Sequence, residues 1–147
     1  MNTPLPKPTI AIATVVKNDL QRLRKTVKSV YEQSTSHEFE YIVHCHADDT
    51  QSLQYCKGLE SLFHLKGNAR FLHSSRHDNG IYDAMNRALE LSSAQFIIFL
   101  NCGDIFFDNL ALDRLIAELS FRNGEWCDGG VHYHSPFVYE NDSIYYN

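Results

Sequence analysis

Apolar positions along this chain recur with two alternating periods. Residues 9–16, TIAIATVV, carry no charge and are rich in β-branched side chains, the pattern of a strand buried on both faces. From residue 20 the period lengthens. Leu20, Leu23, Val27, Val30 and Tyr31 share one helical stripe, and Asn18 or Asp19 stands where a helix cap belongs. Arg22, Arg24, Lys25 and Lys28 lie mostly off the stripe and read as a solvated face. FEYIVHC (39–45) predicts a second strand, and DDT (48–50) caps a helix that turns Leu53, Cys56, Leu59, Leu62 and Phe63 inward. ARFLHS (69–74) predicts a third strand. The helix after it runs to about Leu91, with Ile81, Ala84, Met85 and Ala88 on its core side. AQFIIFL (94–100) is the clearest strand in the chain. Asp108 then caps a helix carrying Leu112, Leu115, Ile116 and Leu119; EWCDGGVHYH (125–134) predicts a fifth strand, and the tail suits a short hairpin about Asn141-Asp142.

Strands alternating with helices across short connections predict an α/β fold: a mostly parallel sheet with helices on both faces, a three-layer sandwich. At 147 residues the chain reads as one domain. Residues 1–8, with three prolines, form a leader, residues 9–134 the α/β unit, and residues 135–147 a tail. No apolar run approaches the roughly 18 residues of a membrane span, and the N-terminus lacks a signal-peptide core. Cys45, Cys56, Cys102 and Cys127 show no CxxC pairing, so reduced thiols and a cytoplasmic location are expected. The net charge of −5 argues against a nonspecific nucleic-acid binder.

In open α/β sheets ligands bind at the carboxyl ends of the strands. Those ends here carry Lys17, Asn18 and Asp19; His44 and His46 to Asp49; Arg76 to Asp83; and Asn101 to Asp104. Asp104, beside a glycine at the end of an apolar strand, suits a hard cation such as magnesium or manganese, though the same four residues also suit a plain turn. Asn79-Gly80 at a helix start offers backbone N–H groups to a phosphate; the alternative is that Asn79 only caps the helix and Asp83 favours its dipole. Tyr82 and Asp83 are expected to face the crevice above the sheet. The alternate pairs His44/His46 and His132/His134 could assemble a zinc or nickel site, but histidines so placed are more often solvated or bonded to nearby backbone. There is no Walker loop and no GxGxxG.

Taken in order, TVVKN, FEYIV and DNGIYDAMNRALELSSAQFIIFLNCGD resemble the nucleotide-binding half of the family 2 glycosyltransferases, which have the GT-A fold. The combination DNGIYDAMN…FLNxGD resembles the branch that builds bacterial surface polysaccharides. The resemblance spans about residues 9–134. It implies an enzyme that takes a sugar from a nucleoside diphosphate sugar with inversion, passing it to a saccharide or lipid-linked acceptor. It implies that Asn101, Cys102, Gly103 and Asp104 occupy the family's DxD position, with Asp104 the metal ligand and manganese or magnesium the cofactor. Asp78, Asn79, Gly80 and Asp83 would line the donor pocket. Thr14, Val16 and Asn18 would lie beside the nucleobase.

The chain departs from the family pattern in three places. VHCHADDT stands where the second strand would end in a DGGSxD-like stretch; only Asp48 and Thr50 match, so Asp48 is carried over to the donor site. Asn101 and Gly103 replace the acids of a strict DxD. In the family an acceptor-binding half follows the fifth strand and supplies the catalytic base, whereas this chain ends at Asn147. The base is therefore unassigned, and the chain by itself is expected to have little or no sugar-transfer activity. A noncatalytic module that binds nucleotide or a protein partner is the competing reading. Val138, Tyr139, Ile144, Tyr145 and Tyr146 could cover a second subunit, so a homo-oligomer is also compatible.

Overall fold

The computed structural model describes residues 10–121. The fifth strand, the tail hairpin, the leader and the His132/His134 pair lie outside the described residues. Within them the elements run β1 (Ile10–Val16), α1 (Leu20–Tyr31), β2 (Phe39–His46), α2 (Thr50–Lys57), α3 (Leu59–His64), β3 (Ala69–Arg76), α4 (Ile81–Leu91), β4 (Phe96–Phe99) and α5 (Ala111–Phe121). The four strands are parallel in the order β3-β2-β1-β4.

β1 is central, paired with β2 on one side and β4 on the other, and all seven of its residues are buried. This is the arrangement its uncharged, β-branched sequence predicts. The two faces of the sheet differ in side-chain size. Ala11, Ala13 and Val15 present small groups to one face, and α4 packs there through Ala84 and Ala88. Small residues on both partners let helix and sheet approach closely. The other face is larger: Ile10, Ile12, Phe39, Tyr41 and Val43 meet Leu23, Val27 and Val30 of α1, Phe63 of α3, and Leu112 and Ile116 of α5. Burying each of these side chains is worth ~1.5–3 kcal/mol. Helix, sheet and helix thus form three layers.

Three local differences from the sequence pattern have simple causes. The expected helix over residues 50–63 is two helices, broken at Gly58, whose N–H bonds the Tyr55 carbonyl three residues back. Glycine is the weakest helix former after proline, so the chain tightens there. Leu62 consequently points outward at 38% exposure. Ile81 is likewise 52% exposed, so Ala84 and Ala88, rather than Ile81, are the core contacts of α4.

Candidate active site at the carboxyl ends of the strands

The chain moves outward from β1 to β2 and β3, then returns to place β4 on the other side of β1. That reversal brings the carboxyl ends of β1 and β4 together, so residues 17–19 lie beside residues 101–104, at the place where open α/β sheets form their ligand crevice.

The β1 end is held by an acid that the sequence pattern marks only as a cap. Asp49 caps α2 by accepting the Ser52 N–H at 3.1 Å, and its second oxygen accepts the Asn18 N–H at 2.7 Å. Asn18 has φ 57°, a left-handed conformation that asparagine tolerates better than most residues. Asp19 caps α1 through Arg22 N. Asn18 is exposed, whereas Thr14 and Val16 are buried in the wall. The Thr14 hydroxyl donates to the Leu100 carbonyl at 2.6 Å and meets the Tyr41 hydroxyl at 3.0 Å, so it joins β1 to β4. Asp48 lies outermost, its side chain 82% exposed.

The β4 end is fastened to α1. Thr26 accepts the Gly103 N–H at 2.9 Å and lies 3.4 Å from the Asn101 carbonyl. Ser29 accepts the Phe106 N–H at 2.7 Å, and Gln33 bonds both the Asp108 carbonyl and the Leu112 N–H. Thr26 and Ser29 share one edge of α1 and Gln33 lies just past its C-cap, so the three together form a polar ladder for the backbone of 101–112. Sequence reasoning missed it. The available signal was Thr26, Ser29 and Gln33 flanking the apolar stripe. Gly103 has φ 100°, and a Cβ there would meet Arg22 Cδ at 3.3 Å. The groove of about 370 Å³ along α1 belongs to the far side of this ladder, lined by Lys25, Lys28 and residues 105–109, and does not reach the strand ends.

Cys102 donates to the Asp19 carbonyl at 3.4 Å; burial, reinforced by Asp19, pushes its thiol up to about 12. The raised value keeps it a thiol at neutral pH. Asp104 is half-buried, and its N–H bonds the Asn101 carbonyl. Asn101 Oδ1 is buried with no hydrogen-bond partner among the described residues. One carboxylate and one uncommitted amide oxygen in a single turn are hard donors of the type magnesium and manganese take. The donor set is short, since no group of three or more His, Cys, Asp or Glu suited to a metal occurs among the described residues.

At the β3 end the structure corrects the sequence reading. The helix cap is Gly80, at φ 112°, and not Asn79. Nor are the two amides open to a phosphate. The Asn79 N–H is bonded to Asp83 Oδ2 at 2.9 Å and the Gly80 N–H to Asp78 Oδ1 at 3.2 Å. Two carboxylates within reach of two unpaired N–H groups satisfy them first. Asp83 also lies 3.8 Å from Arg87 Nε. Tyr82 is 79% exposed.

Asp78 is the best-anchored acid of this segment. Its other oxygen lies 3.0 Å from His44 Nε2, and His44 Nδ1 lies 2.8 Å from Ser74 Oγ. Burial raises the Asp78 carboxyl, but the bonds from His44 and Gly80, with His46 nearby, outweigh it and hold the group below the usual carboxylate range. His44 therefore has no nitrogen left for a metal. His46 accepts the Asp48 N–H through Nδ1, and its ring meets that of His77 edge-on at 5.1 Å.

A parallel sheet with polar residues gathered at the carboxyl ends of its strands has its candidate site where open α/β sheets bind ligands. Residues 11–144 match the family model "Glycosyl transferase family 2", and the chain belongs to that family. An uncharacterized glycosyltransferase of Mycobacterium tuberculosis is 33% identical over 113 residues, which is 77% of this chain and 40% of that protein. This chain thus spans about two fifths of that relative's length. The crystal structure of Staphylococcus aureus TarS residues 1–349 with UDP-GlcNAc superposes with a TM-score of 0.64 at 18% identity, over 78% of this chain and 32% of that one. A mannosyltransferase from Pyrobaculum calidifontis, in complex with GDP-Man and Mn2+, gives 0.61 at 15% identity, over 80% of this chain and 34% of that one. At such identities the structural likeness establishes the fold, GT-A.

Proposed function

We propose that this chain is the donor-binding domain of an inverting glycosyltransferase that builds a bacterial surface polysaccharide from a nucleoside diphosphate sugar. The observation that carries the reading is the crevice between β1 and β4, where the Asn101–Asp104 turn is fastened at a fixed place opposite Asn18. Asn18 and the Asp49 clamp beneath it form the nucleobase side, with Asp48 at the rim. Asp104 and Asn101 would hold a divalent cation, which when bound offsets the charge that develops on the departing diphosphate. Asp78, Asn79, Gly80 and Asp83 form the sugar side, held rigid by their own hydrogen bonds. The acceptor hydroxyl attacks the anomeric carbon as the bond to the diphosphate oxygen breaks, and its proton passes to a base. No described residue is assigned as that base.

Calorimetry with UDP, GDP and dTDP, each with and without manganese, tests the reading. One of the three should bind, and more tightly with metal. Asp104→Asn should abolish the metal enhancement while the melting temperature stays within a few degrees of wild type, because the side chain is half-buried at the surface of a turn. Equal affinity in wild type and variant with manganese present would sink the assignment of Asp104.

A further inference from the structure

We infer that His44 is a positioning residue for the donor side of the crevice, acting through Asp78 on the backbone of Gly80. The inference deepens the proposed function and rests on it. His44 is 0% exposed within β2, on the face of the sheet covered by α4. An imidazole so buried must have both nitrogens satisfied. Asp78 is held as a carboxylate and can only accept, so His44 Nε2 carries the proton and donates to it. Ser74 occupies Nδ1 and fixes the ring plane. The side chain of Asp78 is itself only 7% exposed, and its remaining oxygen takes the Gly80 N–H.

The result is a chain of three hydrogen bonds, Ser74 to His44 to Asp78 to Gly80. It runs from the rigid interior of the sheet to the first residue of the α4 cap. Gly80 sits at φ 112° and ψ −178°, a conformation open essentially to glycine alone, and its own cap has no side-chain bond. Asp83 ties the first turn of α4 to the Asn79 N–H, whereas the Gly80 N–H takes its acceptor from outside the helix, at Asp78. The buried histidine holds that acceptor in place, and the segment 78–83 that faces the donor inherits its position. A serine, histidine and aspartate in series also suggest nucleophilic catalysis. Here, however, the histidine is sealed under a helix and the aspartate is spent on a backbone amide, so the series orients rather than reacts.

Two substitutions separate positioning from mere core packing. In His44→Asn the amide lies where Nδ1 was; it can meet Ser74 but falls short of Asp78. In His44→Gln an amide N–H reaches the Nε2 position and can still donate to Asp78. Two quantities are read: the dissociation constant of whichever of UDP-GlcNAc and GDP-mannose binds the wild type with manganese, and the exchange rate of the Gly80 amide by NMR. His44→Asn should weaken binding about tenfold and speed Gly80 exchange about tenfold, the size expected for losing one charge-assisted hydrogen bond. His44→Gln should stay within about threefold of wild type on both. If both variants lose melting temperature but keep wild-type affinity and exchange, His44 is only a core residue and the inference is overturned. Loss in His44→Gln as large as in His44→Asn also overturns it. Should His44→Asn not fold, Asp78→Ala cuts the same chain from its outer end and must give the same two losses. If the wild type binds no nucleotide, the proposed function fails, and Gly80 exchange alone decides the role of His44.

Discussion

Asp48 leaves 82% of its side chain in solvent, whereas Asp49, the next residue, is buried and ties two pieces of chain together. Its two oxygens serve the first turn of α2 and the backbone of Asn18, 31 residues earlier. A sequence reading finds the cap easily, since an acid stands just before a helix; it cannot find the second oxygen's partner, which parallel pairing of β1 and β2 brings alongside. Asp49→Ala should cost ~2–4 kcal/mol, a lost cap plus a lost bond to a charged acceptor. Asp49→Asn keeps an acceptor for one of the two amides and should cost about half as much. Asp48→Ala should change stability by less than about 0.5 kcal/mol. Urea denaturation of the three variants checks the order, and a cost at Asp48 equal to that at Asp49 would overturn this division between the two acids.

Among the elements, α1 departs furthest from its sequence reading. Its apolar stripe packs as expected, with Leu23, Val27 and Val30 buried. The polar edge beside the stripe proves equally structural. Thr26 is fully buried, and Thr26, Ser29 and Gln33 together receive the loop that follows β4. This explains how a turn rich in small and polar residues keeps its shape at the mouth of the crevice. Thr26→Val is nearly isosteric yet leaves the Gly103 N–H without its acceptor. It should cost ~1–3 kcal/mol and loosen residues 101–104, visible as faster Gly103 amide exchange. Gln33→Leu strands the Leu112 N–H at the start of α5 at a similar cost, but should leave Gly103 exchange unchanged. Identical exchange behaviour in the two variants would mean that the ladder acts as one unit and not rung by rung.

At the scale of the whole molecule, acid sensitivity follows from carboxylates whose folded-state affinity for protons is reduced. Asp78 is lowered below 3.8 by His44 and Gly80, against burial, so the folded chain binds its proton less readily than the unfolded chain does. The stabilisation it contributes is complete above the unfolded value and is lost as pH falls through the lower folded value. The window therefore lies below about pH 4. Asp108 is lowered too, by Arg114 at 2.9 Å, but that surface pair contributes little in water. Melting temperature followed from about pH 6 down to about pH 2 should fall more shallowly in Asp78→Asn than in wild type. Parallel acid limbs would show that Asp78 does not carry this dependence. Among the described residues no helix is long and apolar enough to cross a membrane.

How much was legible in the sequence follows from how far apart the interacting groups lie along the chain. Hydrophobic period is a local property, so the four strands, the stripes of α1 and α5, and the approximate cap positions before α1 and α2 could be read directly from it, while the period misplaces Ile81 on the core side of α4. Parallel pairing and the placing of polar strand ends on one edge followed from the alternation of elements. Three things could not be read this way: which amides were already taken, which polar residues were buried, and which acid reached across to another strand. The Asn79 and Gly80 amides looked open because their competition with Asp78 and Asp83 is settled only by the turn's actual geometry. His44 looked like a surface histidine at a strand end. It is buried because α4, brought over the sheet by the crossover from β3 to β4, closes above it and leaves its two ring nitrogens to Asp78 and Ser74.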